Sequence, residues 1–363
     1  MFSDAHCDTI SRILDKDQNL WSNDGHLDLK RLKEQGCALQ FFAAWIEPQF
    51  EKYGALARCI DIIDKFYIEL EVNTEHLHLI EKSSDVDFAI ENNKIGALLS
   101  IEGGSALEGK LSTLRMLYKF GVRAMTLTWN GRNEIADGIG EGDRAGGLSK
   151  FGFDVVREMN NLGMIVDVSH LSERGFWDVA QCSSHAFIAS HSNAKTLCNH
   201  PRNLTNEQIA EIVKRNGFIG INLYSMFLSE SDAKISDIMR HIDYFMSLGA
   251  EDVLGFGADF DGVDSLPENI CGIGDMQKII NELSKIGYSD IVLNKLLYSN
   301  LHRAIKQIMK IQKKNIAFCT VFIYYISMIL FLVKMAIYFA ANFPLRVVAE
   351  PSSMDRPLPR TCA

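Results

Sequence analysis

The sequence predicts an α/β fold of the (β/α)8 barrel type, in which eight parallel strands alternate with helices. Short and nearly continuous apolar runs alternate along the chain with longer amphipathic runs. Continuous apolar character is typical of parallel strands that are covered on both faces. An open, doubly wound sheet is the structural alternative. It is disfavoured because Gly255-Phe256-Gly257 does not open a helix as a dinucleotide-binding fingerprint would.

The predicted strands are short, and most are rich in apolar and β-branched residues. They are Met1–Asp8, Ala38–Ile46, Ile95–Glu102, Val122–Trp129, Met164–His170, Ala186–His191, Phe218–Leu223 and Asp252–Asp259. Eight such runs within about 250–300 residues match the usual size of one barrel.

The predicted helices lie between these strands. They are Leu27–Gln35, Leu56–Val72, Lys110–Phe120, Phe151–Leu162, Glu173–Ala180, Asn206–Arg215 and Ile235–Ser247. Ser172 and Thr205 are predicted N-caps. Several helices are followed by glycine, the usual residue at a helix C-terminus, at Gly36, Gly121, Gly163, Gly217 and Gly249. After the eighth strand, Met276–Lys285, Asp290–Tyr298 and Asn300–Lys314 are predicted to close the barrel.

We expect three regions along the chain. Residues 1–314 form the barrel, residues 315–341 form an apolar segment and residues 342–363 form a disordered tail. Residues 316–333 contain no charged side chain, and this stretch is long enough for a transmembrane helix. Lysines lie on both sides of this segment, so the charge pattern leaves its orientation open. The alternative is a tail that is unrelated to the barrel.

Composition narrows the class of protein. The net charge of −9 and the lack of a basic block argue against a nucleic-acid partner. Eight scattered cysteines without a Cys-x-x-Cys pair suit reduced thiols in the cytoplasm. The chain enters its first strand at once, so no cleavable secretory signal is expected. We therefore expect a cytoplasmic barrel. It would be tethered to a membrane only if the apolar segment crosses that membrane. Homodimerisation stays open.

Polar side chains concentrate where the predicted strands end. His6 and Asp8 are two positions apart at the end of the first strand, so both side chains point to the same face. Glu102, His170 and His191 follow the third, fifth and sixth strands. The carboxyl ends of barrel strands meet at one face, which carries the reactive groups of such enzymes.

Three imidazoles and two carboxylates are ligands that suit a pair of zinc-like ions, with a carboxylate between them. Two neighbouring metal ions clamp a hydroxide and polarise a carbonyl group, which indicates metal-assisted hydrolysis. A single histidine at a strand end is usually structural, so this interpretation depends on the five residues together.

Two further polar residues have candidate roles. Asp259 follows the eighth strand and would act as general base and proton shuttle. Asp261 competes for that role, and Asp259 is favoured because it is nearer to the strand. Arg202 follows the sixth strand and would bind a substrate carboxylate with two parallel hydrogen bonds.

At this point the chain resembles the renal or membrane dipeptidases, zinc metallodipeptidases built on the metal-dependent hydrolase barrel, and within them a bacterial-type member. The similarity covers residues 2 to about 310, with the family's motifs in the family's order. The matching stretches are Asp4-Ala5-His6-Cys7-Asp8-Thr9, Ser100-Ile101-Glu102-Gly103-Gly104, Leu127-Thr128-Trp129-Asn130, Asn133-Glu134-Ile135-Ala136-Asp137-Gly138, Gly163–His170, Ala189-Ser190-His191-Ser192, Arg202-Asn203-Leu204-Thr205 and Gly257-Ala258-Asp259-Phe260-Asp261-Gly262.

The resemblance implies a site with two Zn2+ ions. His6 and Asp8 would hold one ion, His170 and His191 the other, and Glu102 would bridge them. It also implies that Arg202 binds the terminal carboxylate of a dipeptide and that Asp259 shuttles the proton. The family cleaves dipeptides, often with a D-residue second, and some members open β-lactam-like amides.

Two features depart from the family. Well-studied animal members carry histidine at the place of Trp129, and that histidine is thought to steady the tetrahedral intermediate. Trp129 and its neighbour Asn130 are therefore candidate substrate-binding residues here. The apolar segment at 315–341 has no counterpart in the expected pattern.

The sequence thus predicts a zinc-dependent dipeptidase that attacks the peptide carbonyl with metal-bound hydroxide. One alternative is a related amidohydrolase or lactamase acting on cyclic amides. Another is a metal-binding but inactive barrel tethered to a membrane. The contact expected between Arg202 and a free carboxylate of the substrate favours dipeptides, although lactam antibiotics also carry a carboxylate.

Overall fold

In the computed structural model, nine parallel strands are connected by helices. The structure describes residues 1–310. The strands are β1 (Phe2–Asp4), β2 (Cys37–Trp45), β3 (Leu77–Leu79), β4 (Ile95–Glu102), β5 (Val122–Thr126), β6 (Ile165–Asp167), β7 (Ile188–Ala189), β8 (Phe218–Ile221) and β9 (Leu254–Phe256).

Thirteen α-helices lie in the same part of the chain. They are α1 (Thr9–Asp15), α2 (Leu29–Glu34), α3 (Ala55–Val72), α4 (Ser83–Glu91), α5 (Leu111–Lys119), α6 (Lys150–Leu162), α7 (Glu173–Cys182), α8 (Asn206–Lys214), α9 (Ser225–Leu228), α10 (Ile235–Ser247), α11 (Met276–Ile286), α12 (Asp290–Asn294) and α13 (Asn300–Ile308). A π-helical turn, Lys295–Ser299, joins α12 to α13.

Eight of the strands close into a barrel in the order β1-β2-β4-β5-β6-β7-β8-β9, and β9 pairs again with β1. All the pairings between strands are parallel. The predicted (β/α)8 barrel is therefore confirmed, and each of its eight strands falls within or next to a predicted run.

The short strand β3 and the helix α4 are additions that the sequence analysis did not assign. β3 pairs with β4 at Ile95–Ala97, while β5 pairs with β4 from Leu99 onward. β2 occupies the opposite edge of β4 over the same residues. β3 therefore lies beside the barrel wall and is not a member of the ring.

Alternation along the strands divides the core into two apolar layers. Leu39 and Phe41 of β2 belong to one buried cluster, while Phe42 and Ala44 belong to the other. The first cluster also contains Leu301 and Ile305 of α13. The same helix approaches Gly163, which precedes β6: a Cβ on Gly163 would lie 3.4 Å from the Ile308 carbonyl oxygen. The closing helix thus covers the end opposite the carboxyl ends of the strands.

The predicted caps are largely confirmed. The hydroxyl of Ser172 accepts from Gly175 N, and Thr205 forms a capping box with Gln208. One glycine has a different role from the prediction. Asn216 takes the left-handed conformation after α8, with φ 55°. Gly217 is needed because a Cβ there would lie 2.3 Å from the Phe187 carbonyl oxygen.

Three predictions concern the end of the chain. The apolar segment at 315–341, the tail at 342–363 and the barrel boundary at 314 lie outside the described residues. Among residues 1–310, no helix combines the length and the hydropathy that crossing a membrane requires.

Candidate metal centre

The five predicted metal ligands meet at the carboxyl ends of the strands. His6 and Asp8 follow β1, Glu102 is the last residue of β4, and the remaining two histidines follow β6 and β7. Each of the five is buried to at least nine-tenths of its surface. Their proximity follows from the closed parallel barrel, which brings every strand's carboxyl end to one face.

Glu102 lies at the centre of this group. Its Oε1 is 2.8 Å from His170 Nε2 and 3.6 Å from His191 Nε2. Its Oε2 is 3.4 Å from His6 Nε2. The carboxylate therefore faces two histidines with one oxygen and the third histidine with the other.

Asp8 and Asp259 lie on the His6 side of the group. Asp8 Oδ2 is 3.4 Å from His6 Nε2, and Asp259 Oδ1 is 3.6 Å from the same nitrogen. No side chain fits between the two carboxylates, because a Cβ on Gly262 would lie 2.1 Å from Asp8 Oδ2 and 2.4 Å from Asp259 Oδ1. The glycine thus allows the β9 loop to approach the ligands.

The residues present fit metal ions. His6 Nε2, His191 Nε2 and Asp8 Oδ1 are buried and have no hydrogen-bond partner among residues 1–310. A buried polar atom without a partner is costly unless something else satisfies it. Ligand atoms of His6, Glu102 and His191 lie within 4.8 Å of one another, as do those of His6, Asp8 and Asp259. Imidazole and carboxylate donors at this spacing are suited to divalent metal ions.

The charges of the pocket also favour a cation. Burial and the neighbouring Glu102 raise the pKa of Asp8 to about 8. Burial alone would raise the pKa of Glu102, but His6 and His170 hold it well below its usual value. Burial would also lower the pKa of His6, yet Glu102 and Asp8 raise it well above the usual value. The carboxylates around His6 would likewise stabilise a bound metal cation.

Of the two aspartates left open by the sequence, Asp259 lies at the centre and Asp261 lies away from it. Asp259 Oδ2 accepts from Asn222 Nδ2 at 2.8 Å, which leaves Oδ1 directed at His6. Asp261 instead accepts from Thr9 Oγ1 at 2.6 Å and from the His26 backbone N–H at 2.7 Å. Asp261 therefore ties loops together.

Arg202 is buried beside the histidines. Its Nη2 donates to the His191 carbonyl at 3.3 Å, and its guanidinium carbon lies 5.4 Å from the centre of the Phe227 ring. Its Nε has no partner among the described residues. Burial lowers the pKa of Arg202 to about 10, so the side chain stays positive at neutral pH.

The candidate substrate-binding residues after β5 lie next to His170. The Trp129 ring centre is 6.1 Å from that of His170 and 5.7 Å from that of Trp45. Asn130 Oδ1 is 2.8 Å from His170 Nδ1. Asn130 thus orients a histidine of the centre, a contact that the sequence analysis did not predict.

Three supporting residues were also missed. Asp4 accepts from the N–H groups of His6 and Ala258, which joins the β1 and β9 ends. Asn222 holds Asp259, and Ser190 contacts His191 Nδ1 at 2.7 Å. Their signal in the sequence is weak, since each is only a polar residue near the end of a strand.

Comparisons with known proteins find a matching family model and similar sequences. The family model described as membrane dipeptidase, peptidase family M19, matches residues 1–317. The chain is 35% identical over 242 residues to an uncharacterized protein in the pqqA 5′ region of Klebsiella pneumoniae, covering 64% of this chain and 89% of that protein. It is 30% identical over 298 residues to an uncharacterized dipeptidase of Schizosaccharomyces pombe, covering 78% of this chain and 73% of that protein.

A similar solved structure carries a mimic of a dipeptide. A metallopeptidase from Rhodobacter sphaeroides, bound to a phosphinate mimic of the dipeptide L-Ala-D-Ala, superposes with a TM-score of 0.80 at 26% identity. The superposition covers 85% of this chain and 99% of that chain.

Proposed function

Because the chain belongs to the membrane dipeptidase family, peptidase family M19, and is thus a metal-dependent dipeptidase, we propose that it binds two zinc ions and hydrolyses dipeptides that include those with a C-terminal D-residue. The observation that carries the metal proposal is Glu102, whose two oxygens face His6 on one side and His170 with His191 on the other. The proposal that dipeptides with a C-terminal D-residue are substrates is supported by the L-Ala-D-Ala mimic bound to the Rhodobacter sphaeroides enzyme.

We assign the ligands by the sides of Glu102 on which they lie. His6 and Asp8 would hold one ion, His170 and His191 would hold the other, and Glu102 would bridge them. Bound zinc would supply a nucleophile from water at neutral pH and polarise the peptide carbonyl.

Asp259 is the proposed proton carrier. Asn222 fixes its Oδ2, so Oδ1 is the oxygen that would accept a proton and pass it to the leaving amine. Burial raises the pKa of Asp259, which favours a carboxyl group able to hold a proton briefly. Its left-handed backbone, with φ 64°, keeps the side chain aimed at the centre.

Arg202 is the proposed partner of the substrate carboxylate. The lining of a small cavity includes Arg202, Ser192 and His170, so a group bound there would lie beside the centre. Arg202 Nε and Ser192 Oγ are buried donors without partners among the described residues. A carboxylate would satisfy both. Trp129 would form the wall beside His170, and Asn130 would have only its amide nitrogen left for the substrate.

The experiment uses the full chain with L-Ala–D-Ala and L-Ala–L-Ala, with zinc added and then removed by a chelator. We expect zinc-dependent release of free amino acids from both dipeptides. Glu102→Gln should remove this activity, since an amide cannot bridge two ions as a carboxylate does. Metal analysis should show two zinc ions per chain.

The matched substrate is L-Ala–D-Ala amide, which lacks the terminal carboxylate. It should be cleaved far more slowly than the free dipeptide if Arg202 binds that carboxylate. Two bound metals without dipeptide turnover would overturn the substrate proposal and favour a cyclic amide. Failure to bind metal would overturn the centre itself.

A further inference from the structure

The side chain of His191 has a different environment at each ring nitrogen. Nε2 faces Glu102 Oε1 at 3.6 Å and has no hydrogen-bond partner within the described chain. Nδ1 lies 2.7 Å from the hydroxyl oxygen of Ser190. Which nitrogen carries the proton therefore depends on whether that hydroxyl donates to Nδ1 or accepts from it.

Asp167, the last residue of β6, determines whether the Ser190 hydroxyl donates to His191 or accepts from it. Its Oδ1 accepts from the backbone N–H groups of Ser169 at 3.0 Å and of Ser190 at 2.9 Å. Its Oδ2 accepts from Thr126 Oγ1 at 2.7 Å and also from Ser190 Oγ. An ionised carboxylate only accepts hydrogen bonds, so the single hydroxyl proton of Ser190 is donated to Asp167.

The proton count then fixes the histidine. With its proton given to Asp167, the Ser190 oxygen can only accept from His191 Nδ1–H. We propose that Asp167 and Ser190 are positioning residues that place the proton of His191 on Nδ1, so that the Nε2 lone pair points into the metal centre. A contact that fixes the tautomer of a metal-binding histidine also raises its affinity for the ion.

The consequence should be confined to one of the two ions. His191 lies on the His170 side of Glu102, whereas neither Asp167 nor Ser190 contacts His6 or Asp8 in the described residues. We call the hydrogen bonds from His191 through Ser190 to Asp167 the relay. Loss of the relay should weaken the binding of the ion on the His191 side and leave the binding of the other ion unchanged. This inference rests on the proposed zinc centre, but the tautomer itself can be measured without metal.

Asp167→Asn provides the sharpest test. The two backbone N–H groups require an acceptor, so the Asn oxygen should stay with them and its amide nitrogen should face Ser190. That nitrogen donates, so the Ser190 hydroxyl would be released to donate to His191 Nδ1. The proton of His191 should then move to Nε2, opposite to the wild type.

Three serine variants complete the design. Ser190→Ala removes the acceptor and should leave His191 as a mixture of tautomers, whereas Ser190→Thr keeps the hydroxyl and should keep the wild-type tautomer. Ser183→Ala is the matched control, since Ser183 is a buried serine that bonds Asn160 and the His185 carbonyl. It should change neither the tautomer nor the metal affinity.

The readouts are the tautomer by 15N NMR of the metal-free full chain and zinc affinity by competition with a chelating indicator. We expect Ser190→Ala and Asp167→Asn to lower the affinity for one of the two zinc ions by about 10- to 100-fold. Thermal unfolding of each metal-free variant would show that it is folded. A wild-type tautomer in Asp167→Asn would overturn the relay. If the wild type has the Nδ1–H tautomer of His191 but binds no zinc, the relay is upheld and the proposed function is contradicted.

Discussion

At the scale of single residues, two members of the centre have a strained backbone. His170 has a φ of 65° and Asp259 a φ of 64°, and neither is glycine. A residue of this kind costs about 1–3 kcal/mol of stability and persists only where its surroundings hold it. Asn130 holds the His170 ring and Asn222 holds the Asp259 carboxylate. At these two positions the strained backbone carries a side chain that is aimed at the metal centre.

Asp259→Asn tests the proton carrier at this scale. Asn keeps the size of the side chain and tolerates the left-handed backbone, but it cannot take up a proton. We expect the dipeptide kcat to fall by about 10²–10⁴-fold, the usual contribution of a general base. Zinc content should stay near that of the wild type. Steady-state kinetics and metal analysis would check both.

The neighbouring Asp261→Asn is the matched control for that variant. Because Asp261 bonds Thr9 and His26, this change should lower the thermal unfolding temperature while kcat stays within a few-fold. If Asp259→Asn loses zinc together with activity, Asp259 is a metal ligand and not the proton carrier. Metal analysis tests this alternative, which arises because Asp259 lies with His6 and Asp8 in one group of potential metal ligands.

At the scale of elements, polar side chains join neighbouring strand ends in pairs. Asn193 and Asn222 exchange two hydrogen bonds of 2.9 Å between the loops after β7 and β8. Asp167 joins β5, β6 and β7, and Asp4 joins β1 and β9. Each link fixes the loop that carries a site residue relative to the next strand. These hydrogen bonds therefore hold the loops of the centre in place.

His241 of α10 makes one such link depend on pH. Its Nδ1 accepts from the Ala194 N–H at 3.1 Å, and its Nε2 contacts the Leu228 carbonyl at 3.2 Å. Burial lowers the pKa of His241 to about 4, whereas the unfolded chain takes up the proton near pH 6.5. Its contribution is complete above about pH 6.5 and is lost as the pH falls toward 4.

We therefore expect His241→Gln to reduce the loss of stability in acid. Between pH 6.5 and pH 4, the free energy of unfolding of the wild type should fall more steeply, by up to on the order of 3 kcal/mol. Glutamine offers an acceptor and a donor but does not titrate in this range. Urea unfolding of both proteins at several pH values would measure the difference. Identical slopes would show that protonation of His241 contributes nothing.

At the scale of the whole molecule, the barrel concentrates buried charge at one end. Asp8, Glu102 and Asp259 lie around His6 with almost no exposed surface. Like charges that are buried together destabilise the folded state unless cations offset them. The opposite end is closed by apolar residues of α13. Folding stability should therefore depend on the occupancy of the metal centre.

Removal of metal should accordingly lower the thermal stability of the full chain. A ligand at about 1,000 times its Kd stabilises by about 4 kcal/mol, and each kcal/mol is worth about 2–4 °C in a domain of this size. We expect a fall in Tm on the order of 10 °C when a chelator is added, reversed by zinc. Calorimetry of the Glu102→Gln variant should show a much smaller change. Equal Tm values with and without chelator would contradict a buried metal centre.

Much of the fold can be predicted from the sequence because parallel strands and amphipathic helices leave local patterns. The eight ring strands and the N-caps at Ser172 and Thr205 follow from hydrophobic period and capping chemistry. β3 was missed because it has three residues, too few for a period to be visible. The first strand was predicted too long, since the Asp4 carboxylate binds the His6 N–H and turns the chain there.

The sequence by itself determined the barrel, the family and the candidate ligands, because these depend on residue types at the ends of recognisable strands. Only the tertiary structure decided how those ligands are arranged. Which oxygen of Glu102 faces which histidine, and whether Asp259 or Asp261 reaches His6, depends on contacts between residues up to 253 positions apart. The proton on His191 depends likewise on Asp167, 24 positions away on the neighbouring strand. Such contacts leave no local pattern, because closure of the barrel alone brings them together.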